Sequence, residues 1–153
     1  MTKLSEDVLL FLSKNKDKKC VFTNGCFDIL HLGHVEYLNE AKAEGDFLII
    51  GLNSDLSVKR LKGDDRPVNN QNDRKSMLLN LKAVDAVQIF EEDTPLEIIK
   101  LINPNVLVKG GDWKIEQIVG HEHVINSGGV VKSLMFKNGY STTSLIEKVQ
   151  GKH

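Results

Sequence analysis

The sequence predicts a single α/β domain over residues 1–153, with a mostly parallel sheet flanked by helices. Three observations carry this. The run Phe47-Leu48-Ile49-Ile50-Gly51-Leu52 is continuously apolar rather than alternating, as in strands covered on both faces. Comparable runs at Cys20–Thr23, Val84–Phe90 and Val106–Val108 alternate along the chain with helix-period patterns. A chain of 153 residues suits one domain that buries roughly 68–70% of its unfolded surface.

Composition removes several function classes. Lys and Arg total 20 against 21 Asp and Glu, a net charge of −1, so no general basic field exists to hold nucleic acid or an anionic membrane. Neither is expected as a partner, and any anion site is local. No N-terminal segment reads as a signal peptide and no run approaches a membrane span, so a cytoplasmic protein with Cys20 and Cys26 as free thiols is expected. Cys26 reads as a small, semi-buried residue rather than a reactive thiol.

Taken in order, Leu4 to Lys14 form an amphipathic helix through Val8, Leu9, Phe11 and Leu12, and a solvated connector completes residues 1–18. Strand Cys20–Thr23 leads through a turn into a helix from Leu32 to Glu44, ended by Gly45, and then to strand Phe47–Leu52. Asn53-Ser54-Asp55 starts a short helix through Leu61, followed by a charged loop to Pro67 of the kind that carries function. Asn72 is expected to cap the next helix, which buries Met77, Leu78 and Leu81. Arg74 in its first turn opposes the helix dipole, so it either faces a ligand or is an ordinary surface residue.

Strand Val84–Phe90 precedes a capping box, Thr94-Pro95-Leu96-Glu97, and a helix to Ile102. Strand Val106–Val108 ends at Lys109-Gly110-Gly111-Asp112-Trp113, a short helix lies around Glu116–Val119, and a last strand covers Val130–Phe136. Asn138-Gly139-Tyr140-Ser141-Thr142-Thr143-Ser144 opens a final helix with Leu145, Ile146 and Val149 on one face.

The ligand site of such a sheet lies at the carboxyl ends of its strands, where the notable polar clusters fall. The first is Asn24-Gly25-Cys26-Phe27-Asp28-Ile29-Leu30-His31-Leu32-Gly33-His34. Two imidazoles at a helix mouth, beside free backbone N–H groups and a positive dipole end, make an anion site suited to phosphate. Gly33 is expected to let a ligand approach the backbone, and Asn24-Gly25 to supply the sharp exit from the strand. Asn53-Ser54-Asp55, Lys109-Gly110-Gly111 and Ser141-Thr142-Thr143 end other strands of the same sheet.

Gly25-Cys26-Phe27-Asp28 followed by His31-Leu32-Gly33-His34 and a late Ser141-Thr142-Thr143 resembles the cytidylyltransferase-like superfamily of nucleotidyltransferases, from about Lys19 to Val149. Within it, Lys59-Arg60-Leu61-Lys62-Gly63-Asp64, Arg66-Pro67-Val68-Asn69, Phe90-Glu91-Glu92-Asp93-Thr94-Pro95 and Leu107-Val108-Lys109-Gly110-Gly111-Asp112 are similar to the adenylyltransferase half of bifunctional heptose 7-phosphate kinases and heptose 1-phosphate adenylyltransferases. The resemblance implies a Rossmann-like fold and transfer of AMP from ATP, with Mg²⁺, to D-glycero-β-D-manno-heptose 1-phosphate. ADP-heptose and pyrophosphate result, for lipopolysaccharide or related surface glycans. A stand-alone enzyme served by a separate kinase and phosphatase is implied, as is a homo-oligomer such as a dimer. Glycerol 3-phosphate cytidylyltransferases place an Arg shortly before Ser-Thr-Thr where this chain has Lys137-Asn138-Gly139-Tyr140, which weakens that alternative.

The resemblance and the chemistry of phosphates assign roles as follows. His31 and His34 donate to the α- and β-phosphates, and Lys62 closes over the site from a flexible loop. Asp28 orients substrate or Mg²⁺, or is a structural cap; Asn53 and Asp55 bind the acceptor. Arg74, Ser141, Thr142 and Thr143 meet the triphosphate. Asn24, Gly25, Cys26, Phe27 and Gly33 approach the nucleotide, whose pocket Gly110, Gly111 and Asp112 shape. Lys109 contacts phosphate or forms a surface ion pair, and Trp113 lines the pocket or packs in the core. Two other readings stay open: a zinc site built on Cys26, His31, His34 and His121 or His123, and a catalytically silent nucleotide-binding protein.

Overall fold

The computed structural model describes residues 2–136 and 139–151, so the turn expected at Asn138 and the Lys137-Asn138 departure lie outside the described residues. Five strands form one wholly parallel sheet: β1 Cys20–Gly25, β2 Phe47–Asn53, β3 Ala86–Phe90, β4 Val106–Gly110 and β5 Val130–Leu134, in the order β3-β2-β1-β4-β5. The helices are α1 Glu6–Lys14, α2 Leu32–Lys42, α3 Asp55–Lys62, α4 Gln71–Leu79, α5 Leu96–Ile102, α6 His121–Asn126 and α7 Thr142–Val149.

Continuous apolar strands feed two cores because successive side chains leave opposite faces of the sheet. Phe22, Phe47 and Ile49 join Val8 of α1, Ile98 and Ile99 of α5 and Val124 of α6. Val21, Leu48, Ile50 and Leu52 join Leu38 and Ala41 of α2 and Leu78 of α4. β1 is extended past Thr23 because Asn24 and Gly25 still pair with Gly51 and Leu52. β3 starts only at Ala86, since Asp85 turns its carboxylate onto the Leu48 N–H (2.8 Å) and onto Lys42.

Some boundaries differ from expectation. Asn70, not Asn72, caps α4, its side chain accepting from the Asp73 N–H at 2.9 Å, and Met77 stays exposed on the outer face. α2 ends at Lys42 rather than Glu44. The helix expected around Glu116–Val119 is a single 3-10 turn, Ile115–Gln117, followed by α6. No helix of the described residues is long and apolar enough to cross a membrane.

The strand order reverses direction at β1, which lies between β2 and β4. Loops leaving β1 and β4 therefore diverge to opposite sides and open a crevice at their carboxyl ends. The site occupies that crevice.

Candidate active site

β1 ends in Asn24 and Gly25, and Phe27 takes a left-handed backbone conformation, φ 45°, that folds the chain back toward α2. His31 is the N-cap of α2 in extended conformation (φ −143°, ψ 174°), and His34 is the third residue of its first turn. The two rings stack with centroids 3.8 Å apart. The His31 N–H donates to His34 Nδ1 at 3.3 Å, which makes Nδ1 an acceptor and leaves the His34 proton on Nε2. Phe27 packs edge-on to His34, centroids 5.3 Å apart.

Burial lowers the pKa of His31, and burial together with the neighbouring His31 charge pushes His34 down to about 4. Both imidazoles are therefore neutral at pH 7, each with one N–H to offer. They sit where the N–H groups of the α2 first turn and the positive dipole end also point, an arrangement that attracts phosphate.

The pair opens on a cavity of 630 Å³. Asn24, Gly25, Cys26 and Phe27 line it, and Asn53 reaches it from the end of β2. One wall carries Lys109, Gly110, Trp113, Phe136 and Tyr140, with Ser141, Thr142 and Thr143 opening α7. Ser141 caps that helix through the Ser144 N–H (3.0 Å), and Thr142 Oγ1 donates to the Ile29 carbonyl at 3.2 Å, tying α7 to the histidine turn. The facing wall carries Lys62, Arg66, Asp93, Thr94 and Pro95.

Both lysines face the cavity. Lys62 is the last residue of α3 and not part of the loop, so a helix rather than a mobile segment presents it. Lys109 at the end of β4 has its pKa lowered by burial, and its ammonium lies 5.4 Å from the centre of the Trp113 ring. It makes no ion pair with a carboxylate among the described residues. Burial also raises the pKa of Cys26 against the pull of Lys62, Arg74 and Arg66, so its thiol is not an activated nucleophile.

Several expected contacts are redirected. Arg74 does not line the cavity: its guanidinium is fully buried and donates to the Asn69, Cys26 and Asn53 carbonyls and to Asp55. Asp55, held by Arg74, also lies off the cavity wall. Asp28 lines the cavity, with its carboxylate committed to bonds from the loop that precedes α4. Its carboxylate accepts from Arg66 Nε (2.9 Å) and from the Val68 and Asn69 N–H groups. Burial alone would raise its pKa, but those bonds outweigh burial and hold it below the usual carboxylate range.

Gly33 is tightly flanked, since a Cβ there would meet Tyr140 Cβ at 2.8 Å and His31 Cε1 at 2.9 Å, and its own atoms do not line the cavity. The residue is small so that His31 and Tyr140 can close over the helix. Gly111 and Asp112 lie beyond the cavity wall, while Trp113 lines it with 42% of its surface exposed and its indole N–H on the Gly110 carbonyl (2.9 Å). Arg66, Asp93, Thr94, Pro95, Phe136 and Tyr140 are wall residues that sequence reasoning did not assign, although Arg66-Pro67 and Asp93-Thr94-Pro95 stood in segments carrying the resemblance.

The donor set does not make a metal centre. Asp28 has both oxygens bonded, Asp93 pairs with Arg60, and no group of three or more His, Cys, Asp or Glu among the described residues is placed to hold an ion. His121 and His123 bond instead to the Ile118 carbonyl and to Asn103.

The family model described as cytidylyltransferase-like matches residues 22–148, from inside β1 through α7. The chain belongs to that family. Membership places it among nucleotidyltransferases, and the paired histidines stand where the cytidylyltransferase-like fold brings β1, β4 and the last helix together. The bifunctional protein HldE of a Marinomonas species is 58% identical to it over 137 residues, covering 90% of this chain and 29% of that protein. HldE of Campylobacter jejuni subsp. doylei is 53% identical over 148 residues, 97% of this chain and 31% of that protein. The chain thus spans less than a third of the length of the curated relatives it matches.

Among solved structures, a lipopolysaccharide core biosynthesis protein from Thermoplasma volcanium aligns with TM-score 0.64 and 30% identity over 81% of this chain and 99% of that one. Pantothenate synthetase from Thermus thermophilus shares the fold alone, with TM-score 0.55 and 16% identity over 84% of this chain and 59% of that one.

Proposed function

We propose that the chain transfers AMP from ATP to D-glycero-β-D-manno-heptose 1-phosphate, releasing pyrophosphate and forming ADP-heptose for lipopolysaccharide or a related surface glycan. The observation that carries this reading is the neutral, stacked His31–His34 pair at a helix N-terminus, on a cavity with Lys109 on one wall and Lys62 on the other. Two flanking cations suit a site where two phosphate-bearing substrates meet. The likeness to HldE proteins and to a lipopolysaccharide core biosynthesis protein supports the choice of acceptor.

In this mechanism an oxygen of the sugar phosphate attacks the α-phosphorus of ATP, and the bond to the β-phosphate oxygen breaks. The acceptor is already ionised at neutral pH, so neither a covalent enzyme nucleophile nor a strong base is needed. His34 Nε2–H and the remaining N–H of His31 donate to the α- and β-phosphate oxygens as charge grows on them, and the α2 amide groups assist. Lys62 steadies the incoming phosphate and Lys109 the nucleotide side. Magnesium enters as part of the MgATP substrate, since the wall carboxylates Asp28 and Asp93 are paired with Arg66 and Arg60. A reaction that consumes ATP suits the cytoplasm.

Pyrophosphate release, measured with ATP and CTP crossed against the heptose 1-phosphate anomers and glycerol 3-phosphate, tests the proposal. Release with ATP and the β-anomer supports it. Release confined to CTP with glycerol 3-phosphate overturns the substrate, and nucleotide binding without turnover on any acceptor overturns the reaction.

A further inference from the structure

We propose that Arg74 is a positioning residue that locks the turn following β1 to the start of the helix carrying Lys62, and so sets the distance between the histidine pair and that lysine. The inference rests on the role given to Lys62 above.

The geometry is specific. Nη1 of Arg74 donates to the Cys26 carbonyl at 2.8 Å, in the turn that leads to His31, and to the Asn53 carbonyl at 2.8 Å, at the end of β2. Nε donates to the Asn69 carbonyl at 2.9 Å, and Nη2 to Asp55 Oδ1 at 2.9 Å. Asp55 is the first residue of α3 and Lys62 is its last. Asn69 in turn holds Asp28 twice, its N–H on Oδ1 (2.9 Å) and its Nδ2 on the Asp28 carbonyl (2.8 Å), while Arg66 on the cavity wall pairs with the same carboxylate. One buried guanidinium thereby ties three stretches of chain to α4, and each contributes to the cavity wall, through Cys26, through Asn53 and Lys62, and through Arg66.

Stability alone does not explain a cation in that place. The guanidinium is fully buried while the Asp55 side chain is 41% exposed, so the desolvation cost of the cation takes back much of the Coulombic gain, and an apolar side chain of similar volume is often at least as stable. What guanidinium supplies and an apolar group cannot is a rigid fork of donors in fixed directions. Here the fork is spent on backbone carbonyls of the loops that carry the site, and a small misplacement of those loops is costly to a reaction governed by positioning.

The test combines a double-mutant cycle with amide hydrogen exchange on the wild type, Arg74→Lys, Lys62→Ala and the double variant. Lysine keeps the charge but loses the fork, so Arg74→Lys is expected to lower kcat by about 10-fold or more while the calorimetric Kd for MgATP stays within about 3-fold. In the Lys62→Ala background the same change is expected to cost less than about 3-fold, since residues acting through one another are not additive. Exchange is expected to rise in residues 26–28, 53–55 and 62–69 with the strands unchanged.

A wild-type kcat in folded Arg74→Lys, or losses that add fully in the double variant, overturns the inference and leaves the proposed reaction standing. A wild-type kcat in Lys62→Ala overturns the role of Lys62 and the inference with it. If no acceptor turns over, the proposed reaction fails and exchange decides alone: a local rise supports the locking role, and no rise or a global one overturns it. Where Arg74→Lys does not fold, Asp55→Asn cuts only the link to α3 and enters the same cycle with the same criteria.

Discussion

His31 and His34 stack at 3.8 Å between centroids, with ring planes 27° apart, and the backbone of the first donates to the ring of the second. The contact fixes which nitrogen of His34 carries the proton, while burial favours the neutral form of both rings at the mouth of α2. A neutral donor pair can follow charge as it develops on phosphate and can release product afterwards. Several expectations depend on that.

Replacing His34 by alanine removes one such donor. The loss is expected to be about 2.7–4 kcal/mol of transition-state stabilisation, or roughly 10²–10³ in kcat, the scale of a single oxyanion donor. Steady-state pyrophosphate release checks it, and an unchanged kcat would remove His34 from the reaction.

Lys62→Ala is expected to lower kcat by about 10²-fold while MgATP affinity changes far less, because the ammonium is matched to charge at the reacting phosphates rather than to the bound nucleotide. Calorimetry beside turnover separates the two. Equal losses in both would make Lys62 a simple binding group.

The depressed pKa of His34 also predicts a stability slope. The folded chain holds it at about 4 against an ordinary 6.5, so the unfolded chain binds the extra proton first as pH falls. Its contribution is intact above pH 6.5 and is lost progressively down to about pH 4. Allowing for solvent screening of a half-buried ring, the cost by pH 5 is about 1 kcal/mol, a Tm lower by roughly 2–4 °C. Melting curves of wild type and His34→Gln check this, with the glutamine variant expected to show the shallower slope.

Gly33→Ala places a methyl group against Tyr140 Cβ and the His31 ring. Overpacking of this kind costs about 1–3 kcal/mol, and the softer neighbour, His31, is the one displaced. The expected result is a modest fall in Tm with a disproportionate fall in kcat.

Cys26→Ala is expected to leave activity within a few-fold, since burial keeps the thiol protonated and its backbone carbonyl, which Arg74 uses, survives the substitution. Turnover before and after substitution is the measurement. Complete loss would restore a chemical role for the sulfur.

What the sequence made legible follows from what is local. Phe47–Asn53 reads as a buried strand because its whole run is apolar, and the paired histidines read as a phosphate site because a strand, a glycine turn and a helix start are contiguous around them. Arg74 was misleading for the same reason. Its position in a first turn hinted at a ligand, while its true acceptors are carbonyls brought in by folding, one of them 48 residues away. Gly33 is small on account of Tyr140, a contact only tertiary structure creates. The Asp93-Thr94-Pro95 stretch announced a helix start, but nothing local says that this start faces the crevice. Trp113 stays at the rim because Lys109 lies over its ring and the Gly110 carbonyl holds its N–H.

The most direct test is phosphorus NMR of the chain with MgATP and D-glycero-β-D-manno-heptose 1-phosphate. The sugar monophosphate and triphosphate signals are expected to fall together as pyrophosphate and a new diphosphate diester rise in equal amounts. An unchanged spectrum with this pair, alongside diester formation from CTP and glycerol 3-phosphate, would contradict the proposed reaction.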